Sequence, residues 1–388
     1  MKSIKEKSLE KHYEWKGKIE IKPRVEINSK DDLSVAYTPG VAQACLEINK
    51  DESKSFLLTR RWNTVPVITD GTAVLGLGDI GPLAGMPVME GKCLLFKTFG
   101  DVDAYPLCID SKDTEEIIKT IKLLSGSWGG VNLEDISAPR CFEIERRLKE
   151  ELDIPVFHDD QHGTAIVVAA ASTNALKLVK KNIDEVRIVI NGAGAAGISI
   201  CKFLYKFGAR HLIICDKKGI ISKNCDWLND AQKELLKITN EDNLDGTLKE
   251  AFVNRDVFIG VSGPNCVTGE MVKSMNDKPI IFTLANPTPE INPILAKESG
   301  AYIVGTGSSE HPNQINNALV FPGLFRGALD SKAKQINDEM MIAASMGIAS
   351  CVKDSELTPD YILPVAYSHE AHKMVAKCVY DAAIKSKA

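Results

Sequence analysis

The stretch Val186-Arg187-Ile188-Val189-Ile190-Asn191-Gly192-Ala193-Gly194-Ala195-Ala196-Gly197 decides the fold of this chain. An apolar strand pattern runs straight into a Gly-x-Gly-x-x-Gly loop, and helical and strand patterns follow over residues 198–207 and 211–215. Asp216 closes the second strand about 20 residues past the last glycine, the spacing of a ribose-binding acid. This order predicts an α/β fold with a doubly wound, Rossmann-type parallel sheet. The loop residues Gly192, Ala193, Gly194, Ala195, Ala196 and Gly197 are expected to hold a dinucleotide pyrophosphate.

The residues after the second strand leave the choice of dinucleotide open. A carboxylate such as Asp216 bonds a free ribose 2′-hydroxyl and so favours NAD⁺, whereas Lys217 and Lys218 could pair with the 2′-phosphate of NADP⁺. Because of the lysine pair, the sequence slightly favours NADP⁺ or the use of both dinucleotides.

Two acidic pairs follow two strand patterns upstream of the glycine loop. Glu134-Asp135 and Asp159-Asp160 are joined by a helical pattern, and a strand–helix–strand crossover makes its strands parallel. Both pairs should therefore lie at one carboxyl edge, where open α/β sheets bind ligands. Glu134, Asp135 and Asp160 offer the hard oxygen ligands that suit Mg²⁺ or Mn²⁺. Asp159 either ligates or orients a catalytic neighbour. Either pair seen alone would be read as helix caps or surface aspartates. The strands are predicted over residues 129–133 and 154–157, and the helices over residues 137–152 and 164–180.

The histidines His158 and His162 raise an alternative, because an i, i+4 histidine pair on a helix binds zinc in one class of hydrolases. That motif requires a glutamate directly after the first histidine, where this chain has Asp159, and His158 falls at a predicted strand end. Zinc chemistry is therefore disfavoured.

Four further side chains could serve a reaction. Tyr37 precedes a Thr-Pro-Gly turn that would fix its direction, although a lone tyrosine is more often simply packed. Lys92 is predicted to begin a strand over residues 93–96, where burial near a cation would lower its pKa and let it act as a base. Asn286 and Asn317 follow strand patterns, and their amides can donate to a carboxylate or accept from a nicotinamide amide. Residues 64–78 are predicted as two strands about an Asp70-Gly71 turn, residues 76–81 as a cleft-lining loop, and the region after residue 331 as mostly helical.

Composition sets the outer bounds. The chain has 388 residues, enough for two domains, and its formal net charge of −5 argues against a nucleic-acid partner. No signal peptide and no membrane span is expected, and the ten cysteines form no Cys-x-x-Cys pair. The cytoplasm is the expected location.

Taken together these motifs resemble those of malic enzymes, in the short form found in bacteria and some protists. The resemblance implies oxidative decarboxylation of L-malate to pyruvate and CO₂ with reduction of NAD⁺ or NADP⁺. It also implies Lys92 as general base, Tyr37 as general acid, Asp159 close to the chemistry, and Asn286 and Asn317 in contact with substrate and nicotinamide. The motifs are residues 36–42, 75–81, 133–135, 158–165, 192–197, 284–288 and 317–323.

The resemblance carries one departure and several further expectations. Longer members have a substrate-binding arginine where this chain has Ala73, as short forms also do, so the carboxylate contact must come from elsewhere. Residues 1–157 are expected to form the substrate and metal half and residues 158–388 the dinucleotide half, unless the segment after about residue 317 returns to the first. A homodimer is implied. The alternatives are a metal-independent amino-acid dehydrogenase and a catalytically silent dinucleotide-binding regulator.

Overall fold

The computed structural model describes residues 2–74 and 76–388, so Leu75 of the 75–81 motif lies outside the described residues. The strands are β1 (Thr64–Thr69), β2 (Asp103–Cys108), β3 (Val131–Leu133), β4 (Val156–His158), β5 (Arg187–Asn191), β6 (His211–Asp216), β7 (Gly219–Ile220), β8 (Val257–Gly260), β9 (Ile280–Thr283) and β10 (Ile303–Thr306).

Helices cover most of the remaining chain. They are α1 (Ile4–Trp15), α2 (Lys30–Ala36), α3 (Val41–Lys50), α4 (Ser55–Leu58), α5 (Pro82–Gly100), α6 (Thr114–Leu124), α7 (Arg140–Glu151), α8 (Asp159–Val179), α9 (Ala195–Phe207), α10 (Asp230–Leu235), α11 (Leu248–Phe252), α12 (Gly269–Lys273), α13 (Pro293–Glu298), α14 (Phe321–Asp330), α15 (Asp338–Ser350) and α16 (His369–Ser386). None in the described part of the chain is long and apolar enough to cross a membrane.

The described strands form two sheets. The first has the order β2-β1-β3-β4 and is parallel throughout. The second has the order β10-β9-β8-β5-β6-β7 and is parallel except for the edge strand β7. Alternate residues of β5 pack into different clusters, because Ile188 and Ile190 face one side of the sheet and Val189 the other. Helices therefore cover both faces, and the predicted Rossmann-type α/β fold is confirmed.

Helix α8 ties the two sheets together. It begins directly after β4 of the first sheet and packs against α9 and α15 beside the second. Its Ala165, Ala169 and Ala170 are fully buried, as expected for a helix that is apolar nearly all round. It starts five residues before the predicted position, so both aspartates of the second acidic pair lie in its first turn, where the helix dipole favours negative charge.

Two local predictions were wrong. Residues 93–96 belong to α5 and not to a strand, so Lys92 lies in the middle of a helix. The described residues between 64 and 78 contain one strand, β1, and show no second strand after Asp70-Gly71. Gly71 instead accepts backbone hydrogen bonds from Ile80 and Gly81, which closes the loop over residues 76–81.

The C-terminal helices pack back onto α5. Phe96 of α5 lies 4.7 Å from Phe321 and 5.2 Å from Phe325, measured between ring centroids, and Phe99 stacks on His372 at 4.3 Å. These contacts favour a return of the segment after about residue 317 to the first half, while the domain boundaries themselves stay a prediction.

Candidate active site

Three carboxylates meet at the carboxyl edge of the first sheet. Because β3 pairs with β4 in parallel register, the residues after Leu133 lie beside those after His158. Glu134, Asp135 and Asp160 each place one carboxylate oxygen within 4.8 Å of the others. The structure therefore brings together the set expected from sequence, and its role as a metal site stays a prediction.

Main-chain contacts fix this edge. The Glu134 N–H donates to the Ile68 carbonyl at 2.8 Å, and the Asp135 N–H donates to Asp160 Oδ2 at 2.8 Å. The Ala73 N–H donates to the Asp135 carbonyl at 3.0 Å, so Ala73 supports the acidic edge through its backbone. Asp135 itself adopts a left-handed backbone with φ 53°, which turns the chain out of β3.

Lys92 reaches the same edge from the middle of α5. Its Nζ lies 2.5 Å from Asp159 Oδ2 and 2.9 Å from Glu134 Oε1, and 4.4 Å from the ring centroid of Phe321. All four side chains are buried. The ammonium is thus enclosed by two carboxylates and one aromatic face, an environment that favours its charged form.

Burial and charge act in opposite directions on Lys92. Burial lowers its pKa, but the carboxylates of Asp159, Glu134 and Asp160 outweigh burial and hold the pKa above its ordinary value. Burial, together with the other acids, raises the pKa of Glu134 well above its ordinary value, although Lys92 opposes this shift. The Lys92 ammonium thus faces the carboxyl groups of Asp159, Glu134 and Asp160.

This donor set fits a divalent cation. Three carboxylates offer hard oxygen ligands, two of them are buried, and burial together with repulsion from the neighbouring acids raises the pKa of Glu134. A cation with oxygen-ligand preference would relieve that repulsion. The cluster contains neither His158 nor His162, and the choice of magnesium or manganese over zinc stays a prediction.

Asp159 occupies a different position from Asp160. Its Oδ2 accepts from Lys92 and also from Asn317 Nδ2 at 2.6 Å, and its side chain is fully buried. Asp160 is partly exposed and faces Asp135. The contacts favour Asp159 as the acid that orients Lys92 and Asp160 as the ligand, and Asn317 is placed to hold Asp159.

Glu145 is a buried acid that the sequence analysis did not single out. It accepts from the His158 N–H at 3.1 Å, from His162 Nε2 at 2.9 Å, and from Lys149 Nζ at 2.7 Å. Burial would raise its pKa, but His162 and Lys149 outweigh burial and hold the pKa below its ordinary value. Glu145 thereby fixes the end of β4 and the first turn of α8. Its i, i+4 spacing to Lys149 was the only signal in the sequence.

Arg140 is a second residue that the sequence analysis missed. Its guanidinium lies 2.9 Å from the buried Asp70 carboxylate and donates to Thr72 Oγ1 at 3.0 Å. The pair joins the start of α7 to the loop after β1, next to Ala73. No sequence pattern relates residues 70 and 140, so only the fold reveals this contact.

Tyr37 is not brought to the acidic edge within this chain. It follows α2, and 66% of its surface is exposed. No hydrogen bond of its hydroxyl to Lys92 or to the acids occurs among the described residues. Its proposed role as an acid stays a prediction.

The second sheet forms the predicted dinucleotide cleft. A cavity of about 1010 Å³ is lined by Gly192, Ala193 and Gly194 of the glycine loop and by Asp216 at the end of β6. Helix α9 begins at Ala195, within the glycine loop that also contains Ala196 and Gly197. The backbone N–H groups at the N-terminus of α9 therefore face the expected pyrophosphate position. A Cβ on Gly197 would lie 1.6 Å from the Gly192 carbonyl oxygen, so only glycine allows this close approach of helix to strand.

Asn286 lies between two loops at the carboxyl edge of the second sheet. A Cβ on Gly307 would lie 2.7 Å from its Nδ2, and a Cβ on Gly76 would lie 2.4 Å from its carbonyl oxygen. The 76–81 loop of the first half therefore meets the strand end of the second half, as expected for a loop that lines a cleft.

The chain matches two family models that together cover most of its length. They are the malic enzyme N-terminal domain over residues 16–149 and the malic enzyme NAD-binding domain over residues 161–384.

Individual relatives agree with the family models. The bifunctional malic/malolactic enzyme of Bacillus subtilis is 52% identical over 385 residues, which cover 99% of this chain and 94% of that protein. The NAD-dependent malic enzyme of Geobacillus stearothermophilus is 52% identical over 95% of this chain and 77% of its own length. The crystal structure of an NAD-dependent malic enzyme from Thermotoga maritima superposes with a TM-score of 0.92 at 48% identity, over 96% of this chain and 98% of that one.

Proposed function

Because the chain belongs to the malic enzyme family, we propose that it catalyses the oxidative decarboxylation of L-malate to pyruvate and CO₂ with NAD⁺ or NADP⁺ as hydride acceptor. The observation that carries the proposal is the contact of Lys92 with Asp159 and Glu134 beside the Asp135–Asp160 pair. A buried lysine among hard oxygen ligands is what this reaction requires, and an amino-acid dehydrogenase without a metal would not need the clustered acids.

The roles of the side chains follow from their chemistry. Lys92 takes the proton of the C2 hydroxyl while hydride leaves C2 for the nicotinamide, and CO₂ then departs from the resulting keto acid. Tyr37 gives a proton from its phenol hydroxyl to the enol carbon. Asp159 holds Lys92 in place, and Asn317 holds Asp159. Asn286 and Asn317 also offer amides to the substrate carboxylate and the nicotinamide.

The protonation of Lys92 couples the base to the metal site. A charged lysine cannot accept a proton, and its carboxylate neighbours hold its pKa high. Glu134, Asp135 and Asp160 would hold a divalent cation, which would supply a Lewis acid for the developing charge on the substrate and would oppose the carboxylates that keep Lys92 charged. Lys92 must reach its neutral form before it can act.

The test is the appearance of reduced cofactor at 340 nm with L-malate, in parallel with NAD⁺ and NADP⁺, with Mn²⁺ and with EDTA. We expect turnover with Mn²⁺, loss of turnover with EDTA, and pyruvate as the product. Absence of metal-dependent turnover with both cofactors refutes the proposal. Lys92→Met should abolish turnover and spare NADH binding, whereas Lys97→Met on the exposed side of the same helix should leave turnover near the parent level.

A second activity deserves measurement in the same samples, because one relative is named a bifunctional malic/malolactic enzyme. Net conversion of L-malate to lactate and CO₂ consumes no cofactor overall, since the hydride returns to the keto acid. Lactate formed without accumulation of reduced cofactor would assign that activity, and pyruvate alone would exclude it.

We also propose a homodimer that buries the N-terminal segment, residues 4–58. Helices α1, α2, α3 and α4 contain no buried residue, and most of their large apolar side chains are exposed, although Ile48 and Phe56 are half-buried. Exposed apolar surface of this extent is typical of an interface. Tyr37 lies on the same segment, so a dimer that covers it would also cover the phenol. The most exposed apolar residues are Ile4, Leu9, Tyr13, Ile21, Val25, Val35, Tyr37 and Leu57.

Light scattering after size-exclusion chromatography tests the dimer. The parent should elute with twice the mass of one chain, and Val35→Asp should shift it towards the monomer. Leu123→Asp on α6 is the matched control, because Leu123 is 76% exposed and Val35 77%. A monomeric parent, or equal behaviour of the two variants, contradicts the proposed interface.

A further inference from the structure

The two lysines after Asp216 form the turn of a hairpin. Asp216 of β6 pairs with Gly219 of β7 in antiparallel register, so Lys217 and Lys218 are the two turn residues between them. The Lys218 N–H donates to Asp216 Oδ1 at 2.7 Å. The turn therefore holds the carboxylate through a main-chain donor, in the manner of an Asx turn.

Trp227 holds the other side of the same carboxylate. Its indole Nε1–H donates to Asp216 Oδ2 at 2.9 Å, and the Lys218 Nζ lies 4.6 Å from the centroid of its rings. Both oxygens of Asp216 are thus oriented, and each keeps lone pairs for further donors. The Lys218 ammonium is engaged by the indole face, a favourable cation–π geometry.

This arrangement lies in the dinucleotide cleft. Asp216, Lys217 and Lys218 line the cavity that also contains Gly192 and Gly194. A dinucleotide whose pyrophosphate rests on the glycine loop presents its ribose hydroxyls to the acid at the end of β6. A 2′-phosphate there would bring a charge of about −2 against a fixed carboxylate, a like-charge contact that disfavours binding.

We propose that Trp227 is a positioning residue that makes this enzyme prefer NAD⁺ to NADP⁺. It presents Asp216 to the ribose hydroxyls and keeps the Lys218 ammonium on its indole face, where it does not meet a 2′-phosphate. This preference opposes the expectation drawn from the lysine pair. The proposed NAD⁺ preference rests on the proposed function only in the assumption that a nicotinamide dinucleotide binds in the cleft.

Binding of NADH and NADPH without malate or metal tests the proposal separately from turnover. The readout is the fluorescence of the bound nicotinamide, with Trp62→Phe as a matched control for loss of a tryptophan outside the cleft. The parent should bind NADH at least about 10-fold more tightly than NADPH, the effect of one well-placed charged hydrogen bond. Equal affinities, or tighter NADPH binding, overturn the proposal. If the parent prefers NADH while malate is not turned over, the specificity stands and the proposed function fails.

Two variants separate positioning from a direct phosphate contact. Trp227→Phe keeps an aromatic face but loses the N–H, so NADH affinity should fall about 10-fold while NADPH affinity changes little. In steady state the KM for NAD⁺ should rise with kcat nearly unchanged, and circular dichroism checks that the variant is folded. Lys218→Met should leave the ratio of NADH to NADPH affinity within about 2-fold of the parent. Specific loss of NADPH binding in Lys218→Met would place that lysine on the 2′-phosphate and refute the inference, as would unchanged NADH binding in Trp227→Phe.

Discussion

Removal of the Glu145 carboxylate should destabilise the region around the first sheet and also weaken the proposed metal site. Glu145 accepts from the His158 N–H, from His162 and from Lys149, and its side chain is 7% exposed. In Glu145→Ala the buried N–H of His158 has no replacement partner in the present contacts, whereas Lys149 and His162 are partly exposed and regain water.

The expected magnitude follows from these contacts. An unsatisfied buried N–H costs about 1–3 kcal/mol, and a lost hydrogen bond to a charged group about 1.5–3 kcal/mol. With Lys149 discounted for its exposure, the free energy of unfolding should fall by about 3–5 kcal/mol. Glu145→Gln keeps one acceptor and should lose less than Glu145→Ala. The pKa of Glu145 is held below its ordinary value of 4.5, so its stabilisation is complete above that pH and declines as the pH falls below it.

Urea unfolding followed by tryptophan emission, to which the buried Trp128 contributes, measures this loss. Trp128 is buried in one cluster with Ile144 and Leu148 of α7, so it reports on the unit that contains Glu145. Glu150→Gln is the control, because Glu150 is 59% exposed and pairs only with Arg146 among the described residues. The Kd of Mn²⁺, measured by titration calorimetry, should rise about 10-fold in Glu145→Gln because Glu145 fixes the turn that carries Asp160. A loss below 1 kcal/mol in Glu145→Ala, or the same loss in the control, would refute the reasoning.

Three further predictions concern other parts of the molecule. Asp160→Asn should raise the Mn²⁺ Kd measured by calorimetry at least about 10-fold. Asp159→Asn should raise it less, because Asp159 contacts Lys92 instead. The reverse order would make Asp159 the metal ligand and Asp160 the orienting acid. Gly192→Ala should lower the urea midpoint strongly, because φ is +118° and the new Cβ would lie 2.5 Å from the Val261 carbonyl oxygen. Gly194→Ala is the control and should leave the midpoint unchanged, because the space around Gly194 is open. Equal midpoints of the two variants would contradict this prediction. Burial would raise the pKa of Asp103, but Arg60 and Lys97 outweigh burial and lower the pKa to about 2. The stability that Asp103→Asn loses at pH 7 should therefore vanish as the pH falls from 3.8 to 2. A loss of stability that persists at pH 2 would contradict this prediction.

Local sequence patterns correctly predicted the elements that belong to a complete strand–helix–strand unit. The glycine loop at residues 192–197 and the crossover from β3 to β4 were both found, because each motif has its strand and helix in the expected order. The error at Lys92 has a physical cause. An apolar run of four residues fits a strand or a buried helix equally well, and Pro87 and Gly91 lower the helical signal of α5. Packing of Phe96 against Phe321 and Phe325 favours the helix.

The sequence by itself determined the fold class, the dinucleotide loop and the meeting of Glu134 and Asp135 with Asp160, because strand direction alone brings strand ends to one edge. Only the tertiary structure decided which partner each charge has. Lys92 meets Asp159, Glu145 meets His162, and Trp227 meets Asp216 through contacts between elements that share no local pattern. The burial and the charge environment of each of these contacts depend on which other elements of the chain pack around them.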